Sequence, residues 1–111
     1  MGFVIKKKES FVWPVTIKTP ADGGSYEEEV IDFTFKKFGE KEMKKLVEDK
    51  SITTKELCKK FVIGWSGVTD ESGQEVKFSQ KNFDLLIENY GFCNQIAGQY
   101  FEAIHKAFVK N

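Results

Sequence analysis

The side chains best suited to nucleophilic or metal chemistry are few in this sequence: Cys58, Cys93, His105, and Ser66 within the run Gly64-Trp65-Ser66-Gly67. A nucleophile elbow needs glycine two residues on either side of the serine, and position 68 is Val68. The only base of suitable type for such a serine is His105, the single histidine. The two cysteines form no CxxC pair, and one histidine does not complete a common zinc set with them. They read as buried free thiols on helices rather than as a disulfide. The acidic run from Asp70 suggests a calcium loop, but such a loop requires Gly at its sixth place and Glu at its twelfth. Those places hold Glu75 and Lys81. No catalytic, cofactor-binding or metal-binding residue is assigned, so neither an enzyme nor a cofactor is expected.

The remaining candidates belong to binding. The stretch from Phe61 to Ser79 places Trp65 between two glycines, then an acidic turn over Asp70–Gly73, with Val68 and Phe78 as apolar feet on either side. It reads as a bridging loop over 64–78. Trp65 plugs that loop onto a core in one reading and anchors a partner in the other. Trp65, Val68 and Phe78 are the expected partner-binding residues, because a bridging loop presents side chains more readily than a core helix.

The elements that position this loop follow from periodicity. Phe11, Trp13, Val15 and Ile17 alternate on one face of a strand, and Pro14, lacking an N–H, suits an edge strand or a bulge better than a central strand. Pro20 to Ser25 carries turn chemistry, and Ile31, Phe33 and Phe35 alternate inward on the returning strand. A β-hairpin is therefore expected over 10–37. The period then changes to that of helices over 39–109. Met43, Leu46 and Val47 mark the first, after Gly39. Thr53 with Glu56 forms a capping box for the second, whose stripe Leu57, Cys58, Phe61 and Val62 ends at Gly64. Ser79 caps a third, with Phe83, Leu86, Ile87 and Tyr90 on one face. Gly91 breaks or kinks it, and the last helix runs from about Phe92 to Val109. The expected fold class is α+β: an antiparallel hairpin or small sheet followed by about four α-helices, in one domain over 1–111. Whether residues 1–9 are ordered is left open by the sequence.

Composition narrows the partners. Lys+Arg and Asp+Glu both number 17 in 111 residues, so formal net charge is zero. Nucleic-acid binders carry a basic excess, and none is expected here. Zero net charge removes long-range repulsion between copies and permits a homo-oligomer. The eleven phenylalanines read chiefly as the filling of a small core, with the remainder available to a partner surface. The runs Lys6–Lys8 and Glu27–Glu29 read as solvated flanks, the lysines also as guards against unwanted strand pairing. No apolar run reaches the roughly 20 residues of a membrane span. The start, MGFVIKKKES, has its apolar residues ahead of its lysines, the reverse of a signal peptide. A cytoplasmic protein without a membrane partner is expected.

The order FVWPVTIKTPADGG, VIDFTFKKF, then ELCKKFVIGWSGVTDESGQEVKFSQKNFDLLIENYG and a closing YFEAIHKAFVKN resembles the small tail assembly chaperones of long-tailed bacteriophages and prophages. The likeness spans the whole chain and rests most on GWSGVTDESG…FS and the terminal KN. It implies a short-form, non-enzymatic chaperone in the cytoplasm of the bacterial host, which keeps the tape measure protein soluble during tail assembly and gives way to tail tube protein. It also implies absence from the mature virion. Apolar contact would hold the helical client, and an edge strand containing Pro14 would let copies repeat along it. The alternative function is a structural tail or head–tail connector subunit.

Overall fold

In the computed structural model, which describes residues 9–106, the sheet is built first and the helices close one side of it. Strand β1 (Ser10–Ala21) and strand β2 (Ser25–Lys36) pair antiparallel without a register break, Ser10 opposite Lys36 and Ala21 opposite Ser25. The connection is shorter than the sequence suggests. Pro20 and Ala21 still lie in β1, and only Asp22–Gly24 turn the chain. Gly23 and Gly24 take φ of 80° and 79°, a region open to glycine without a Cβ penalty.

Helix α1 (Glu40–Glu48) follows and buries none of its residues; Met43 and Leu46 are half-buried and Val47 is exposed. Helix α2 (Thr54–Phe61) starts at the expected N-cap Thr53, with the forward half of the capping box formed. The Glu56 N–H donates to Thr53 Oγ1 at 3.1 Å, and the hydroxyl donates to the Glu56 carboxylate at 3.2 Å.

The next segment departs from the sequence reading. The second helix does not run on to Gly64: it stops at Phe61, and Val62–Ser66 form a third strand, β3, antiparallel to β2. Sheet order is β1-β2-β3. Gly64 sits inside this strand because a Cβ there would come within 3.3 Å of the Thr34 side chain, so it permits close approach and does not stop a helix. A bulge between Thr34 and Phe35 then turns Val62 into the core while Ile63 stays exposed.

Beyond β3, a small turn pairs Thr69 with Glu75, and helix α3 (Gln80–Leu86) is capped by Ser79, whose Oγ accepts from Asn82 N at 3.0 Å. It ends at Leu86, so Tyr90 does not continue its apolar face and is fully exposed. Gly91, at φ 84°, separates it from helix α4 (Phe92–Lys106). The expected extension to Val109, the order of residues 1–8 and the lysine run Lys6–Lys8 lie outside the described residues.

The core lies between the inner sheet face and α2, α3 and α4. Val15, Ile17, Ile31, Phe33 and Phe35 supply the sheet side; Cys58, Phe61, Phe83, Ile96 and Tyr100 supply the helices. Phe61 and Tyr100 stack with centroids 4.0 Å apart and planes within 3°. Most phenylalanines of the described chain are thus buried or packed against this core. Ion pairs between Lys59 and Asp84 (3.2 Å) and between Lys55 and Glu88 (3.8 Å) join α2 to the α3 end.

Candidate partner-binding surfaces

The seam between β3 and α3 is held by one indole. Trp65 lies opposite Phe33 in the ladder and meets Phe33, Phe78 and Phe83 edge-on or tilted, the Phe78 ring at 5.2 Å. Its Nε1–H donates to the Val76 carbonyl at 2.8 Å. That bond ties the strand to the return of the small turn, where Val76 N also donates to the Val68 carbonyl at 2.8 Å. The structure therefore brings Trp65 and Phe78 into contact and places Val68 beside them through main-chain pairing. All three are half-buried and packed against the core.

The turn itself is closed by Asp70. Its Oδ1 accepts from Ser72 Oγ at 2.7 Å, Ser72 N at 2.9 Å and Gln74 N at 3.0 Å. These bonds, the Ser72 hydroxyl foremost, hold the Asp70 carboxyl below the ordinary carboxylate range. The Asp70 carboxylate thus serves turn geometry. Among the described residues no group of His, Cys, Asp and Glu is arranged to hold a metal ion. His105 is exposed on α4. Cys58 is buried, its thiol donating to the Cys93 carbonyl at 3.3 Å, and burial pushes its pKa up to about 12.

Beside the seam, Gly67 takes φ 90° and turns the chain away from β2 after Ser66. A cleft of about 200 Å³ opens between the two, floored by Ile17 and Ile31 and walled by Glu27, Glu29, Val68 and Phe92.

Among the described residues, no helix lies on the opposite face of the sheet. Side chains alternate across the pleat, so Val12, Pro14, Thr16, Val30 and Thr34 share this outer face. Val12 is 64% exposed, Val30 56% and Tyr26 66%. Sequence reasoning looked to the bridging loop and missed this surface. Its signal was present in the β-branched residues at the outward positions of both strands.

The two long edges of the hairpin differ. On β1, α4 lays Gln95 and Gln99, one helical turn apart, along the free side of the strand. Thr16 N donates to Gln99 Oε1 at 2.8 Å while Gln99 Nε2 donates to Thr16 O at 2.6 Å. Gln95 does the same at Lys18, at 2.8 and 3.0 Å. Main-chain groups of alternate residues point to the same side, so Pro14 and Pro20 share that edge with Thr16 and Lys18 and offer no N–H. The edge expected to link copies through Pro14 is therefore occupied or donor-free from residue 14 to 20. On β2 the partner strand reaches only from Phe35 to Asp32. Tyr26 and Glu28 turn their main-chain groups to the same side as Asp32, and β3 does not cover them.

No helix of the described residues is long and apolar enough to cross a membrane. A family model described as a phage tail assembly chaperone matches residues 1–111, the whole chain. No curated protein and no solved structure matches it.

Proposed function

The chain belongs to the phage tail assembly chaperone family, and from that premise we propose that it binds the tape measure protein and keeps it soluble while the tail assembles. The contact is apolar and no bond is made or broken. The outer sheet face carries this reading: Val12, Val30 and Tyr26 lie more than half exposed on a three-stranded surface, with no helix or strand of the described residues against it. An amphipathic client helix buries its apolar stripe on such a surface, at about 25 cal/mol for each Å² removed from water. Val68 at the cleft, with the exposed edges of Trp65 and Phe78, makes a second, smaller contact. Copies associate along the client, tube protein later displaces them, and the chain stays in the host cytoplasm and out of the finished virion. The whole chain acts as one domain.

Co-expression with the tape measure protein tests this. The client is expected in the soluble fraction with the chain and in the pellet without it, and Val12→Asp/Val30→Asp is expected to return it to the pellet. Equal insolubility with and without the wild-type chain overturns the proposal. Mass spectrometry of purified virions gives the second check, since a stoichiometric signal there would assign the chain to the tail structure instead.

A further inference from the structure

One stretch of the β2 edge is open, and the inner side of the sheet next to it is a cleft. We propose that this edge, over residues 26–30, takes an extended segment of a partner polypeptide by antiparallel strand addition, and that the segment carries lysine or arginine at alternate positions. The contact lies apart from the outer sheet face proposed for the tape measure protein and does not depend on that reading.

The main chain sets the partner's conformation. Tyr26 and Glu28 direct both N–H and C=O away from β1, and β3 covers that edge only from Phe35 to Asp32. Among the described residues no main-chain group bonds to them on that side. A helix has already paired its own main-chain groups, whereas an extended chain brings free donors and acceptors at the spacing of the edge. The β1 edge lacks this capacity. Gln95 and Gln99 occupy Lys18 and Thr16 there, and Pro14 and Pro20 offer no N–H.

The side chains set the partner's charge. Alternation across the pleat puts Glu27 and Glu29 on the inner side with Ile31, and both wall the cleft of about 200 Å³. Glu28 stands on the outer side, where Lys18 pairs with it at 3.5 Å. Glu27 and Glu29 have no ion pair among the described residues, and no described cationic side chain lines the cleft. They are two residues apart, about 7 Å along a strand, which is the spacing of alternate side chains on an added strand. Residues opposite them on that strand point to the same inner side, where opposite charge is favoured. A lysine or arginine there lays its methylene stem over Ile17, Ile31 and Val68 and keeps its head at the carboxylates. The residue between, opposite Glu28, faces outward and exchanges both main-chain bonds with it.

Two other occupants fit less well. The β2 edge of a second copy would set carboxylates against carboxylates. A wholly apolar strand would take water from Glu27 and Glu29 and return no counter-charge.

The test is titration of the isotope-labelled full chain with an end-blocked peptide of alternating threonine and lysine, read by amide chemical shifts and hydrogen exchange. Saturable binding is expected, with exchange slowed at the Tyr26 and Glu28 amides. N-methylation of the threonine amides, which face the edge, should abolish binding, and N-methylation of the lysine amides, which face away, should preserve it. Glu27→Gln/Glu29→Gln should weaken binding by about tenfold as two exposed ion pairs are lost. Glu40→Gln/Glu48→Gln removes the same charge from exposed positions on α1, beyond the opposite end of β2, and should change binding by less than about twofold. Absence of binding to wild type overturns the proposal, and so does binding that survives threonine N-methylation. Equal weakening by the two glutamine pairs, or equal binding of a peptide with glutamate in place of lysine, overturns it as well. Protection of Tyr26 and Glu28 without peptide that dilution removes would make a second copy the occupant and also overturn it. The modified peptides act on the wild-type chain, so their results stand whether or not either variant folds.

Discussion

Removing the Gln99 amide isolates what seals the β1 edge. The side chain makes two hydrogen bonds to Thr16, at 2.8 and 2.6 Å, in a partly buried setting. Each such bond contributes about 0.5–1.5 kcal/mol net, so the pair accounts for about 1–3 kcal/mol. Water reaches the vacated edge, and alanine is the better helix former by a few tenths. Gln99→Ala is therefore expected to cost about 1–2 kcal/mol in urea unfolding followed by far-UV circular dichroism. Hydrogen exchange should lose protection at the Thr16 amide and keep it at Val15 and Ile17, whose amides pair with β2. Gln99→Glu sharpens the test. Its carboxylate still accepts from Thr16 N but faces the Thr16 carbonyl with no proton to give, so at neutral pH it should cost more than alanine. Once protonated, the carboxyl donates as the amide did. Its folded pKa is thus raised above the unfolded value near 4.3, and its stabilisation is present below that value and lost as pH rises through the folded pKa. A Gln99→Ala protein within about 0.3 kcal/mol of wild type, with Thr16 exchange unchanged, would refute the edge-sealing argument.

Three further outcomes follow from the seam and the core. Trp65→Phe keeps the ring packing but leaves the Val76 carbonyl without its 2.8 Å donor, and should cost about 1 kcal/mol by urea midpoint; no loss would show that the indole acts by packing alone. Gly67→Ala places a Cβ 3.5 Å from the Val30 carbonyl, an ordinary contact, so its expected penalty of about 1–2 kcal/mol is backbone strain at φ 90°. Gly39→Ala, at φ −67° with open space around it, is the control and should be near neutral. Burial pushes the Cys58 thiol and the Tyr100 phenol each up to about 12. The unfolded chain ionises these groups near 8.5 and 10, so stability should hold up to about pH 8.5 and fall as pH rises toward 12. A urea midpoint that stays flat or climbs over that range would contradict the burial.

Much of the fold was legible in local pattern. Two-residue alternation of Val15, Ile17, Ile31, Phe33 and Phe35 named the inner sheet face, because a pleat sends alternate side chains to opposite sides. Thr53 and Ser79 marked helix starts because their hydroxyls satisfy amides a turn away. The strand Val62–Ser66 was not legible in this way. Its Val62 continues the apolar stripe of α2, and only the vacant β2 edge from Asp32 to Phe35 makes an extended backbone the better-satisfied choice. Tyr90 likewise fits a helical period that the chain had already left. The seam residues Trp65, Val68 and Phe78 were visible as a cluster, but how much of each a partner reaches depends on neighbours distant in sequence.

Composition, periodicity and capping thus determined the hairpin, the helix starts and which side of each is greasy, since those properties depend on residues within a few positions of one another. Tertiary structure alone decided that no helix of the described residues covers one sheet face, that two glutamines of α4 close one strand edge, and that β3 covers the other edge only as far as Asp32. Each of those outcomes depends on where a remote element stops, and an edge or a face is defined only by what lies beside it.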